Sequence, residues 1–178
     1  MSRVGKQPVA IPTGVKAQMS GQEFSVEGPK GQLKMKIPAS FKVLIKDNII
    51  TVSPQAEGNK TGALHGLYRS MVSNMVQGVA VGYTKELEIQ GVGFKAAVQE
   101  KKAIFNLGYS SPVEMKIPDG IDFKVAENVK LIVSGPDKQQ VGDFSAHIKD
   151  LFPAEPYKGK GIRFKGEYVR RKVGKTVA

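Results

Sequence analysis

The chain has 178 residues, with 27 Lys and Arg against 16 Asp and Glu, a net charge of +11. It contains no cysteine, which excludes disulfides, thiolate metal sites and thiol nucleophiles and fits a reducing compartment. A hydrophobic fraction of 40% argues against wholesale disorder. No apolar run reaches bilayer-spanning length and the N-terminal "MSRVGKQPVAIPTG" lacks a signal-peptide core, so a soluble, intracellular protein is expected.

In chain order, "QEFSVEG" (22–28) and "GQLKMKI" (31–37) read as strands. "MKIPASFKVLIKDN" follows from Met35, with Phe41, Val43 and Ile45 alternating with polar residues as in a half-buried strand, and then "IITVSP" (49–54). A helix comes next, with Leu64, Leu67, Tyr68, Met71, Val72 and Met75 on one face, its methionines serving as core packing. Gly78–Tyr83 reads as a hinge.

Beyond the hinge the series recurs. "KELEIQG" (85–91), "FKAAVQE" (94–100) and "KAIFNLG" (102–108) are strands, and "MKIPDGIDFKVAEN" from Met115 repeats the earlier motif at a spacing of 80 residues. Both copies open on Met-Lys-Ile-Pro and close on Asn, at Asn48 and Asn128, and Ile121, Phe123 and Val125 match Phe41, Val43 and Ile45. "VKLIVSGP" (129–136) is longer than its counterpart, Gly135-Pro136-Asp137 starts a helix, and Val141, Phe144, Ile148, Leu151 and Phe152 form its apolar stripe. The expected fold is α+β: two tandem homologous domains, 1–82 and 83–170, each an antiparallel sheet packed on one helix, and a basic tail at 171–178.

Charge is unevenly spread: residues 1–82 carry +6, residues 83–154 carry −1, and the 24 residues from 155 carry +6. A middle segment near neutrality shows that solubility does not require the excess, so an acidic partner explains it better, with nucleic acid first. Catalytic signatures are missing. Gly174-Lys175-Thr176 mimics the end of a nucleotide-binding loop, but the glycine needed five residues earlier is Val169. Gly91-Val92-Gly93 runs into a strand instead of a helix and reads as a bulge or close backbone approach. The two histidines, His65 and His147, sit on helices without metal-ligand spacing, and Ser145, His147 and Asp150 point in different directions on a helix. No cofactor or metal is expected.

The basic end, "PYKGKGIRFKGEYVRRKVGK" (156–175), holds eight Lys and Arg and four Gly. Lys158, Lys160 and Arg163 are spaced by Gly159 and Gly161, which allow close backbone approach to phosphates, with Lys165 just beyond. Tyr157 and Phe164 flank the cluster and offer rings to unpaired bases, although Phe164 reads rather better as a core or strand-edge residue. Tyr168 to Lys172 reads as a strand-like piece leading into the tail. Two other readings stay open on residues alone: an enzyme that clamps a phosphorylated or acidic substrate with this end, and a generic basic protein that adheres to DNA or anionic membranes.

"EPYKGKGIRF" (155–164) and "VRRK" (169–172) resemble the C-terminal signature of the bacterial large-subunit ribosomal protein six family. "SRVGKQP" (2–8), "VEGPKGQL" (26–33), "GVGFKA" (91–96), "LGYSSPV" (107–113) and "GPDKQQVG" (135–142) are similar to further family segments in the same order. Departures are Ala154, Ser111 and Phe164, where Pro or Ser, His and Tyr are usual. The resemblance implies a non-enzymatic, cytoplasmic, ribosome-bound protein without homo-oligomerisation. It would bind 23S ribosomal RNA near the base of the factor-recruiting stalk, close to the subunit interface, beside neighbouring ribosomal proteins. It carries RNA contact over to Lys158, Gly159, Lys160, Gly161, Arg163, Arg170, Arg171 and Lys172, with Gly91 and Gly93 held only as candidate contacts.

Overall fold

A computed structural model describes residues 2–55 and 61–175. The first half runs β1 (Val9–Ala10), β2 (Lys16–Ser20), β3 (Glu23–Gly28), β4 (Gly31–Lys36), β5 (Phe41–Lys46), β6 (Ile49–Pro54) and α1 (Thr61–Ala80). The second runs β7 (Tyr83–Gln90), β8 (Lys95–Gln99), β9 (Lys102–Asn106), β10 (Val113–Lys116), β11 (Asp122–Ala126), β12 (Lys130–Gly135), α2 (Lys138–Asp150) and β13 (Gly161–Phe164). The chain divides into two compact units, the first ending at Tyr83 and also taking in Pro136–Lys138, the second starting at Thr84. Each has a three-stranded meander, β2-β3-β4 or β8-β9-β10, and a second sheet, β1-β6-β5 in the first unit and β13-β7-β12-β11 in the second. The architecture is the expected pair of α+β domains, with one strand added to the second copy.

The repeated Met-Lys-Ile-Pro marks the same structural event twice. Ile37 and Ile117 are buried at the ends of β4 and β10, and their N–H groups donate to Gln22 O and Lys101 O, both at 2.8 Å. Pro38 O and Pro118 O then accept from Phe41 and Ile121 N–H at 3.0 and 3.3 Å, turning the chain into the next hairpin. Both hairpins turn on two left-handed residues, Asp47-Asn48 (φ 48° and 59°) and Glu127-Asn128 (φ 56° and 60°), the mirror-image turn that matches strand twist. The extra residue in the second copy is Val129, which lies between the turn and the first ladder pair, Ala126↔Lys130; in the first copy Lys46 pairs with Ile49 directly.

Alternation decides burial as expected. Phe41 and Val43 face inward in β5 and Phe123 in β11, while Lys42, Lys46, Asp122 and Lys124 face outward. Phe24, Val26, Ile50 and Val52 build the first core; Phe105, Leu131, Val133 and Phe144 build the second. In the latter, Phe123 meets Phe105 at 6.2 Å and Phe144 edge-on at 5.8 Å.

The helices fit the expectation unequally. On α2, Val141, Phe144 and Ile148 are buried, whereas Leu151 and Phe152 follow its last turn. On α1 the stripe is rotated: Val72, Val76 and Val79 are buried with His65, and Leu64 and Leu67 are 39% and 50% exposed. The reason is His65, which a hydrophobic count leaves out. Its ring is 2% exposed and its Nε2–H donates to Val52 O at 2.8 Å, so a polar side chain takes the core position. Gly78 also lies inside α1 and only Val81 and Gly82 separate that helix from β7, so the connection is shorter than the hinge read from sequence.

The units manage their sheet edges differently. Ile11 N–H donates to Asn48 O and Ile89 N–H to Val129 O, both at 2.8 Å, each acceptor directly preceding β6 or β12. Ile11 and Ile89 are thus counterparts. On the far side of β7, Ile162 of β13 pairs with Ile89. On the far side of β1, alternation presents Pro8, Ala10 and Pro12, two of which lack an N–H. Arg69 also donates to Gln7 O and Pro8 O at 3.2 and 3.4 Å. One edge is covered by a strand and the other is stripped of donors, two ways of discouraging uncontrolled strand addition.

Candidate nucleic-acid interface

The basic end is built on β13, which sequence reading does not identify as a strand. It pairs antiparallel with β7 in the register Gly161↔Gln90, Ile162↔Ile89, Arg163↔Glu88 and Phe164↔Leu87. Ile162 is fully buried and its N–H donates to Phe152 O at 2.8 Å, so this one side chain fastens the strand to the core. Gly161 is fixed by space as well as by conformation. Its φ is +135°, and a Cβ there would stand 2.6 Å from Ala154 Cα and 2.7 Å from Pro153 O.

Pairing divides the candidate cations into two groups. Arg163 Nη2 lies 3.7 Å from Glu88 Oε2, and Lys165 Nζ lies 2.5 Å from Glu86 Oε2. The hydrogen bond from Lys165 to Glu86 raises its pKa above the usual lysine range. Behind them, Glu167 accepts from Lys149 Nζ at 2.6 Å and from Phe164 N–H at 3.0 Å, and these bonds hold its carboxyl below the ordinary range. Phe164 has the Lys149 and Lys85 ammonium groups 5.1 and 5.6 Å from its ring centre, which suits a strand-edge residue better than a base-stacking platform.

Lys158, Lys160, Arg170, Arg171 and Lys172 form the second group. Among the described residues none of them has a carboxylate within 4.0 Å, in contrast to Arg163 and Lys165. Glu155 N–H donates to Lys160 O at 2.9 Å and Gly159 N–H to Glu155 O at 3.1 Å, which closes residues 155–160 into a loop. Tyr157 is 57% exposed on it. Residues 168–172 are not a strand, contrary to the expectation. Lys172 N–H instead donates to Pro156 O at 2.8 Å, and Arg171 Nη2 lies 3.3 Å from where a Cβ on Gly159 would be. Arg171 and Lys172 are thereby brought back onto the lysine loop.

The turn after β7 meets the same loop. Gln90, Gly91 and Val92 line an open cavity of about 310 Å³ together with Lys158, Gly159 and Lys160. Gly93 belongs to this turn but does not line the cavity. Sequence reading misses Gln90 and Val92; a lone valine between glycines is the signal that marks the spot. Elsewhere, Ser145 is buried and donates to Val141 O at 2.6 Å while His147 is exposed, so no triad assembles. Among the described residues no cluster of His, Asp and Glu is arranged to hold a metal ion, and no helix is long and apolar enough to cross a membrane. Of the Gly-Lys-Thr match, Thr176 lies outside the described residues.

Fold and site together describe a duplicated α+β protein whose second copy adds a Lys- and Arg-rich edge strand and loop. The profile of the family described as Ribosomal protein L6 matches residues 11–82 and 90–165, one segment per repeat. The Large ribosomal subunit protein uL6 of Synechocystis sp. is 50% identical over 176 residues, covering 99% of this chain and 98% of its own. The proteins of that name from Finegoldia magna and Opitutus terrae are each 49% identical, over 177 residues (99% of both chains) and 178 residues (100% of both). The chain belongs to the ribosomal protein L6 family. It is a structural component of the large ribosomal subunit and not an enzyme, and its place is on the ribosome in the cytoplasm.

Proposed function

We propose that the chain anchors itself to 23S ribosomal RNA near the base of the stalk that recruits translation factors, close to the subunit interface and beside the ribosomal proteins there. The N-terminal repeat would end at residue 82, the second, 83–170, would carry the RNA-binding edge, and 171–178 would add a basic tail. The observation that carries this is the gathering of Lys158, Lys160, Arg171 and Lys172 around one closed loop without carboxylate partners among the described residues. Phosphates neutralised there release counterions, while Gly159 and Gly161, both buried, let the loop close against Arg171 and against Pro153 and Ala154 and so position the lysines beside them. Tyr157 stands ready to stack on a base. Arg163 and Lys165 contribute field, tempered by Glu88 and Glu86.

The test is binding to deproteinised 23S ribosomal RNA across a salt series. Changing Lys158 and Lys160 together to Ala should weaken binding and reduce the salt slope by roughly one per lost phosphate contact. Unchanged affinity and slope with an intact fold would overturn the assignment.

A further inference from the structure

Val92 is 93% exposed at the tip of the turn from β7 to β8, between Gly91 and Gly93. The turn beneath it is firmly held. Phe94 N–H donates to Gly91 O at 3.3 Å, the Phe94 ring lies 2.7 Å from where a Cβ on Gly91 would be, and that ring packs edge-on against Phe152 at 5.2 Å. β7 itself is clamped between β12 and β13. The first unit has the same connection, Val15 N–H donating to Pro12 O at 3.3 Å, but the polar Thr13 stands exposed where the second unit has Val92. The second unit therefore presents an apolar branched side chain to solvent on a rigid base, beside the cavity lined by Lys158 and Lys160.

We infer that Val92 is a shape-reading wedge for RNA: it seats against ribose and base edges in the shallow minor groove of a folded RNA helix while Lys158 and Lys160 hold the flanking phosphates. This rests on the proposed RNA-binding function and adds a contact that carries no charge. The A-form minor groove is wide and shallow and is recognised largely by shape, so a small branched side chain on a rigid turn can seat on it while the neighbouring lysines take the phosphates. The division of labour separates the two loops experimentally.

Val92→Ala and the Lys158→Ala/Lys160→Ala pair are compared on deproteinised 23S ribosomal RNA at several salt concentrations, with thermal melting as the check on folding. Val92→Ala should melt like the parent and bind roughly three- to tenfold more weakly, with an unchanged salt slope. The lysine pair should lose both affinity and slope. Full affinity for Val92→Ala alongside loss in the lysine pair overturns the wedge and leaves the RNA site standing. A reduced slope for Val92→Ala also overturns it, because the valine would then act through the lysines. If neither protein loses affinity, the RNA site itself fails, and the wedge with it.

Discussion

Arg163 on β13 stands directly across the ladder from Glu88 on β7, its guanidinium 3.7 Å from the carboxylate. Further along, Lys165 reaches Glu86 in the same way. Two of the basic residues that look most like RNA ligands in the sequence are thus paired with carboxylates of the neighbouring strand, unlike the others among the described residues.

Replacing Glu86 and Glu88 by Gln should release Arg163 and Lys165 toward a polyanion. RNA affinity at low salt should rise and the salt slope steepen, while the unfolding midpoint moves little because such partly exposed pairs contribute little to stability. Titration of binding against salt, with a parallel denaturant melt, checks both halves of the prediction. A stable double variant with the parent slope would show that the two cations serve only the strand.

Ile162→Ala should cost about 2–5 kcal/mol, the range for removing a fully buried aliphatic side chain. Gly161→Ala should also be strongly destabilising, since the added Cβ meets backbone atoms of Pro153 and Ala154 at a φ of +135°. Gly166→Ala is the control: its φ is +80° but nothing lies within 4 Å of the new Cβ, so backbone strain alone, about 1–2 kcal/mol, applies. Denaturant unfolding should rank Gly161→Ala well below Gly166→Ala. Equal losses would mean that close approach is not what requires the glycine at 161.

Acid should loosen β13 through Glu167. Its carboxyl is held below its ordinary value of 4.5, first by the Lys149 ammonium and then by Phe164 N–H. The unfolded chain therefore takes up this proton more readily. The stabilisation is complete above about 4.5 and is lost as pH falls through the lower folded value. Hydrogen exchange at Phe164 N–H should accelerate on acidification over that window relative to the core amide of Val133. Glu167→Gln should remove the pH dependence.

Much of the fold is legible because the chain states it twice: Met-Lys-Ile-Pro, the paired Asn turns and the inward alternation of β5 and β11 all reappear in three dimensions. The face of α1 is misread because His65, a polar residue, satisfies its Nε2–H inside the core and displaces Leu64 and Leu67 outward. β13 escapes notice because four residues, two of them charged or glycine, give almost no periodic signal. Its identity depends on Ile162 meeting Ile89, a pairing far apart in sequence. At the site, Lys158, Lys160 and the Arg170–Lys172 cluster are visible as charge, but the fold-back that joins them runs through main-chain groups of Lys172 and Pro156, which no side-chain pattern reports.

The addition of β13 to β7 also bears on the order of events at synthesis. β7 is made early in the second unit, yet the strand that covers its outer edge arrives only after β8 to β12 and α2 have been translated. Until then the second unit is a sheet with a bare margin, the state most exposed to mispairing, whereas the first unit guards its margin with prolines from the outset. Completion of the second fold and delivery of the lysine loop are therefore a single late step, so the proposed RNA-binding surface would be presented only when the chain no longer has an edge to lose.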